Sequence, residues 1–267
     1  MIETDRWKHL REGLFRNVEP KVELMAMTQP VGRFVSEFTS EAFPGYVARW
    51  SHETKMTGPA GDIARNVIMR EKVHTTPTEF LDFSFSVDGI SKSLQNQWVR
   101  QRIGVSWVFR STRYIPANQN RFVYCTFDYV DDEEQAKELL GNQELAAKKA
   151  IEMYDAQILL GTNPQDGRKI MPVLWNTPCA FKANVQSLRH FFTLRLDKKA
   201  EWEIRRLARM IFDIVIEIAP SLFVDMKELY ETGKKSIVIS KEELKKLAQK
   251  MLSVEELKEL YETGVKK

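Results

Sequence analysis

The sequence predicts an α+β fold, on three observations. Strand-like and helix-like segments come in mixed order, which favours that class over a doubly wound sheet. One segment, "FLDFSFSV" at residues 80–87, alternates cleanly, with Leu81, Phe83, Phe85 and Val87 on one face and Asp82, Ser84 and Ser86 on the other, the period of a half-buried strand. Residues 198–219 carry Ala200, Ile204, Leu207, Ile211, Ile214 and Ile218 at alternating spacings of four and three, the stripe of an amphipathic helix. With 267 residues, 43% of them hydrophobic and 29% charged, the chain has material for a real core.

Taken in order, "KVELMAM" predicts a short strand ending at the Gln29-Pro30 turn, and residues 58–73 a turn and a short helix. Asp88-Gly89 breaks the alternating strand. "ISKSLQNQWVRQR" predicts a helix that delivers Gln97, Arg100 and Arg102 near its C-terminal end, with Gly104 stopping it. "RFVYCTFDYV" predicts another strand. Asp131 and Asp132 can cap a long helix running to about Leu160, with a weak point at Gly141-Asn142. "GTNPQDGRKIMP" reads as a turn and a short helical piece, "CAFKANV" as extended, and Pro220 ends the helix of 198–219. "KELYETG" then occurs twice, at 227–233 and 258–264; two copies are too few for a solenoid and read as short amphipathic helices packed on the body or on a partner. The organisation expected is one domain over residues 1–225 and a helical extension over 226–267.

Several function classes are disfavoured. A net charge of +3 and a pI near 8.7 are too mild for a nucleic-acid-binding face. Two cysteines, Cys125 and Cys179, in no CxxC arrangement, point away from a disulfide scaffold or zinc site and toward reduced thiols in the cytoplasm. No HxxxH or HExxH spacing suggests a metal. The N-terminus has no apolar run of a secretory signal, and no stretch approaches a membrane span. Neither glycine-rich nucleotide loop, GxGxxG or GxxxxGK[ST], occurs.

Three separated segments concentrate polar side chains in apolar frames. The first is "HTTPTEF", with His74, Thr76 and Glu79. The second is "QWVRQRIGVSWVFRSTRY", residues 97–114, where Arg100, Arg102, Arg110 and Arg113 sit among Trp98, Val99, Ile103, Val105, Trp107, Val108 and Phe109. If that frame is at least half buried, the guanidinium groups need an anion, since burying an unpaired cation costs several kcal/mol. The third is "NVQSLRHFFTLRLD", with Asn184, Gln186, His190 and Arg195; Arg168 in "DGRKIMP" is a lesser fourth. Singly each has a plain structural reading: a turn histidine, a solvated carboxylate, arginines paired with acids on a neighbouring helix, aromatics of the core. Together they suit phosphorylated ligands. An arginine fork binds phosphate bidentately, and Ser111, Thr112 and Arg113 set two hydroxyls beside a guanidinium. A cofactor would then supply the difficult chemistry.

In these residues the sequence resembles the flavin-dependent thymidylate synthases, the ThyX family. Their signature, an RHR triplet followed by serine and then x-R-Y, appears as "RQRIGVSWVFRSTRY". The upstream H-x-T-P-x-E block is His74, Thr76, Pro77 and Glu79, and the downstream block is "NVQSLRHFFTLRLDKKAEWEI", so that roughly residues 20–225 are covered. The resemblance implies a mixed sheet flanked by long helices, and a homotetramer with active sites between subunits. FAD, dUMP, methylenetetrahydrofolate and NADPH meet there, and no protein nucleophile attacks C6 of the uracil. By position it assigns Arg195 to the uracil as the catalytic residue. Gln97, Arg100, Ser111, Thr112, Arg113 and Arg168 go to the nucleotide, and His74, Thr76, Glu79, Arg100, Gln101, Arg102, Ile103, Asn184 and His190 to the FAD. Gln101 stands where the family has His, Gln186 where it often has Arg, and Val108 and Phe109 where it has Asn or Ser followed by Glu or Gln. A hydroxymethyl product, or a catalytically silent nucleotide-binding protein, are the alternative outcomes those departures allow.

Overall fold

The computed structural model describes residues 5–50 and 75–233, all within one compact unit, Met1–Lys234. The helix expected at 58–73, His74 and the second KELYETG copy lie outside the described residues. Four strands, β1 (Lys21–Met27), β2 (Asp82–Asp88), β3 (Val105–Phe109) and β4 (Cys179–Asn184), form a sheet of order β1-β2-β4-β3. Among the described residues eight α-helices accompany it: α1 (Lys8–Arg11), α2 (Phe43–Trp50), α3 (Lys92–Trp98), α4 (Glu133–Leu159), α5 (Pro164–Gly167), α6 (Val185–Arg195), α7 (Trp202–Ile218) and α8 (Lys227–Thr232). The α+β class predicted from the sequence is the class observed. Within it, every strand pair of the described sheet is antiparallel, where the resemblance implied a mixed sheet.

The alternation that predicted β2 positions the core. Leu81, Phe83, Phe85 and Val87 are all buried, and in register Phe85 faces Phe181 and Phe83 faces Ala183 of β4. Over this face pack Trp98 of α3, Leu188, Phe191 and Phe192 of α6, and Ile204, Leu207, Ile211 and Phe212 of α7. Truncating a buried aromatic such as Phe85 to Ala would cost about 3–5 kcal/mol. The opposite face of the sheet carries Ser106, Val108, Ala180 and Lys182 toward solvent. A second, smaller core joins Phe122, Tyr124 and Trp175 to Leu140, Ala147 and Ile151 of α4.

The long helix α4 runs unbroken through Gly141-Asn142, with Asp132 as its N-cap accepting from Gln135 N at 2.7 Å. The first KELYETG copy forms α8, which packs on the body: Leu229 is buried and Tyr230 stacks on Phe212 at 4.9 Å.

Three expectations are corrected. "RFVYCTFDYV" is not a strand; Phe122 makes isolated bridges to Asn17 and Trp175. Phe122, Val123 and Tyr124 are buried in succession, unlike the half-buried alternation of β2. The strand instead forms at Val105–Phe109, inside the arginine-rich stretch. The helix predicted to carry Arg102 ends at Trp98, and the chain turns through Val99 and Arg100 before Gly104. The amphipathic helix of 198–219 starts at Trp202, where Glu201 accepts from the amides of Glu203 and Ile204.

Candidate functional site

Two of the three polar segments are brought together by backbone geometry around Gly104. Asn184 ends β4 and caps α6, its Oδ1 accepting from Ser187 N at 2.8 Å, the reason an Asn three residues before a Ser starts a helix here. Ser187 Oγ donates to the Ile103 carbonyl at 2.6 Å, and Gln101 Nε2 donates to the Ser187 carbonyl at 2.8 Å. Asn184 N in turn donates to the Gly104 carbonyl at 3.1 Å. Gly104 has φ +67°, and a Cβ there would strike Ser187 Oγ and the Asn184 amide, so only glycine lets the two segments meet this closely. The first segment joins through Gln186: with its amide nitrogen turned inward it donates to Glu79 Oε1 at 2.8 Å and to the Thr75 carbonyl at 3.2 Å. Thr76 and Glu79, on a 3₁₀ turn at Thr76–Phe80, are themselves exposed.

The cations fall into two groups. Arg100, just past the end of α3, lies close enough to Arg195, in the last turn of α6, to act on it electrostatically. Arg195 is held below the usual arginine range by burial and then by the Arg100 charge. Among the described residues neither has an acidic partner. A half-buried guanidinium with a second cation near it favours an anion as its partner. The second group is at the other end of α3, where Lys92 is held down by burial and then by the charge of Arg168. Arg168 donates to Thr112 Oγ1 and, through Nε, to the Gln165 carbonyl at 3.1 Å. The seven residues of α3 span about 10 Å at 1.5 Å per residue.

The remaining assigned residues are looser. Arg102, Ser111, Arg113 and His190 are exposed, Gln97 is half-buried, and the Arg113 guanidinium lies 5.7 Å from the Tyr114 ring. The premise that the whole arginine stretch is buried is therefore corrected. Val105, Trp107 and Phe109 face the core, but Ile103 is 83% and Val108 74% exposed, so Arg100, Arg102 and Arg113 reach solvent. Arg110 is half-buried and donates to Asn120. Of the buried polar atoms near Gly104, Gln101 Oε1 has no partner, an acceptor left for a ligand or water to satisfy.

Lys92 was missed in the sequence, where it reads as one more solvated helix lysine; its signal was the N-cap Ser91 before it, which fixes which end of α3 it occupies. Neither cysteine is a ready nucleophile. Burial pushes Cys179 up to about 12, and burial raises Cys125 against the opposing hydrogen bond from Gln143; a thiolate is the reactive form. No described helix is long and apolar enough to cross a membrane.

With this geometry in hand, comparison with known proteins is informative. The family described as "Thymidylate synthase complementing protein" matches residues 37–221. Among curated relatives, the flavin-dependent thymidylate synthase of Pyrococcus abyssi is 33% identical over 135 residues, 51% of this chain and 54% of that protein. That of Pyrococcus furiosus is 30% identical over 177 residues, 66% of this chain and 72% of its own length. That of Nitratidesulfovibrio vulgaris is 30% identical over 227 residues, 77% of this chain and 86% of the relative. The match therefore spans about half of the first relative and most of the third.

Proposed function

The chain belongs to the thymidylate synthase complementing protein family, and from that membership and the site we propose that it is a flavin-dependent thymidylate synthase, which transfers a one-carbon unit from methylenetetrahydrofolate to C5 of dUMP with FAD and NADPH. The observation that carries this reading is the Arg100–Arg195 pair without an acidic partner, an anion seat beside the joined polar segments.

The residues fit a flavin dinucleotide. Gln101 keeps a buried acceptor free, and Arg100 and Arg102 supply charge-assisted donors for a diphosphate. In this reading Thr76, Glu79, Gln101, Arg102, the Ile103 backbone, Asn184 and His190 surround the FAD, with His74, and Arg100 reaches both ligands. When bound, FAD would carry the hydride from NADPH and relay the one-carbon unit.

Gln97, Ser111, Thr112, Arg113 and Arg168 hold the nucleotide, chiefly its phosphate; Thr112 and Arg168 already meet. Arg195 faces the uracil and favours its N3-ionised form, because a guanidinium stabilises negative charge on the adjacent carbonyl more than it stabilises the neutral base. No cysteine need attack C6, in keeping with two thiols held above their usual range. The nucleotide's residues lie in two groups at opposite ends of α3, which supports a homotetramer whose sites are completed by neighbouring copies. In this reading the enzyme works in the cytoplasm.

Mass spectrometry of the product from dUMP, labelled methylenetetrahydrofolate, FAD and NADPH tests the reaction. We expect dTMP; a hydroxymethyl product, or none from a protein that holds flavin, would overturn it. A monomer by light scattering, with FAD bound, would contradict the assembly.

A further inference from the structure

One element, α3, carries a member of each cation group, with Lys92 at its start and Arg100 just beyond its end. What seats this short helix therefore sets both halves of the site. Its far end is anchored by packing: Trp98 is buried against Phe181, with ring centroids 4.5 Å apart. Its near end is anchored differently. Ser91, the N-cap, accepts from Leu94 N at 3.0 Å. The same residue donates twice to one carboxylate, Ser91 N to Glu203 Oε1 at 2.6 Å and Ser91 Oγ to Glu203 Oε2 at 2.6 Å.

Glu203 stands in the first turn of α7 and is 8% exposed. Among the described residues it makes no ion pair. The nearby Arg206 is taken by Glu19 at 3.0 Å and Asp5 at 3.5 Å, and Arg11 by the same two acids. Glu201, two residues earlier, caps α7 itself. A buried carboxylate without a cation is expensive, and this one spends both oxygens on the start of a helix in another part of the chain. Capping alone does not need it, because Ser91 Oγ already serves the Leu94 amide.

We propose that Glu203 is a positioning residue that clasps the N-terminus of α3 and thereby fixes Lys92 against Arg168 and Arg100 against Arg195; its link to ligand binding rests on the flavin and nucleotide reading above. It touches neither ligand and acts only through Ser91. Lys92 lies on this seven-residue helix and Arg100 two residues past its end, so a small tilt at its start displaces a member of each group together. Glu203 is thus the residue whose loss weakens flavin and nucleotide binding at once.

The test compares Glu203→Leu, Ser91→Ala, Glu203→Gln and Glu201→Ala in the full chain. Two readouts are used: amide hydrogen exchange over residues 94–101, which needs no ligand, and titration with FAD. We expect exchange in this segment to quicken at least tenfold in Ser91→Ala, and in Glu203→Leu if that variant folds, while α7 amides stay protected. FAD affinity should fall about tenfold in the same variants. Glu203→Gln keeps an oxygen for Ser91 N and an amide N–H for Ser91 Oγ, so it should restore both readouts to within about threefold. Glu201→Ala, which removes a cap of α7 alone, should lower the melting temperature without moving either readout. Unchanged exchange over 94–101 in Glu203→Leu, or in Glu203→Ala should the leucine variant not fold, would overturn the proposal, as would a Glu201→Ala variant that loses FAD to the same extent. Faster exchange with no flavin bound by the wild-type protein would uphold the clasp and refute the flavin reading instead.

Discussion

Gln101 donates through Nε2 to the carbonyl of Ser187, 86 residues further along the chain, at 2.8 Å. It is one of three bonds that tie the arginine-rich stretch to the start of α6, with those of Ile103 and Gly104. It uses only a donor, which an imidazole N–H supplies as well as an amide does. The departure of Gln101 from the histidine of related sequences therefore leaves the joint intact.

Gln101→Ala should lower stability by about 1 kcal/mol, the net worth of one intramolecular hydrogen bond, or roughly 2–4 °C in melting temperature for a domain of this size. Gln101→His should leave the melting temperature within about 1 °C, and FAD titration of both variants should follow the same order. Equal losses in the alanine and histidine variants would show that the bond does not hold the two segments together.

The two apolar departures differ from one another. Phe109 is half-buried and packs against the main core, whereas Val108 is 74% exposed on the open face of the sheet. Restoring a carboxylate at Phe109 would bury an unpaired charge, so Phe109→Glu should cost more than about 2 kcal/mol, while Val108→Glu should stay within about 0.5 kcal/mol. Urea unfolding of the two variants checks this. If Phe109→Glu proves stable and raises thymidylate synthesis, the strand register inferred for β3 is wrong at that position.

What was legible in the sequence was local and periodic. Lys21–Met27 and the alternating residues 81–87 announced β1 and β2 because one buried face enforces a period of two. The long α4 and α7 were legible because helical stripes repeat over many turns. β3 was hidden: its arginine-rich neighbours drew attention to charge, and Val108, apolar yet exposed, breaks the expected alternation. The polar segments stood out as polar side chains in apolar frames, but sequence could not say that Arg102, Arg113 and His190 are exposed while Asn184 and Ser187 are buried. Nor could it join Ser91 to Glu203, 112 residues apart, since nothing local distinguishes a glutamate that binds a distant N-cap from one on a solvated first turn.

The Arg100–Arg195 juxtaposition gives opposite expectations for stability and activity. Burial and then Arg100 hold Arg195 below the usual arginine range, so the Arg195 charge is disfavoured until an anion arrives. Arg195→Ala should leave the ligand-free protein as stable as the wild type, or more stable by up to about 1 kcal/mol, while cutting turnover far more than it weakens dUMP binding. Thermal unfolding together with separate kcat and binding measurements tests it. A loss confined to dUMP affinity would assign Arg195 a ground-state role only.

The buried carboxylate of Glu203 gives the stability profile an unusual slope. Burial pushes it from about 4.5 up to about 7, against the opposing bonds from Ser91. Between those values the folded protein keeps a proton that the unfolded chain has released, so stability falls as pH rises through this window. At about 1.4 kcal/mol per unit, the whole effect is on the order of 3 kcal/mol. On the acid side the sign reverses. Burial pushes Glu19 upward, but Arg11, Arg206 and its hydrogen bonds outweigh it and hold it low; burial likewise opposes, and Asn176, Arg121 and the Gly89 amide overcome, the shift of Asp88. Their contribution is present above the ordinary carboxylate range and is lost as pH falls through their depressed values. Stability should therefore peak at about pH 4.5–5, where Glu203 is still protonated and the other two are ionised. Glu203→Gln removes the titrating group while keeping both contacts to Ser91, so it should flatten the profile from pH 5 to 7 and exceed the wild type above pH 7. Urea unfolding midpoints of both proteins at half-unit steps from pH 4 to 8 measure the two slopes. Parallel profiles for wild type and variant would mean that Glu203 carries its charge at neutral pH with no penalty, and that Ser91 satisfies it fully.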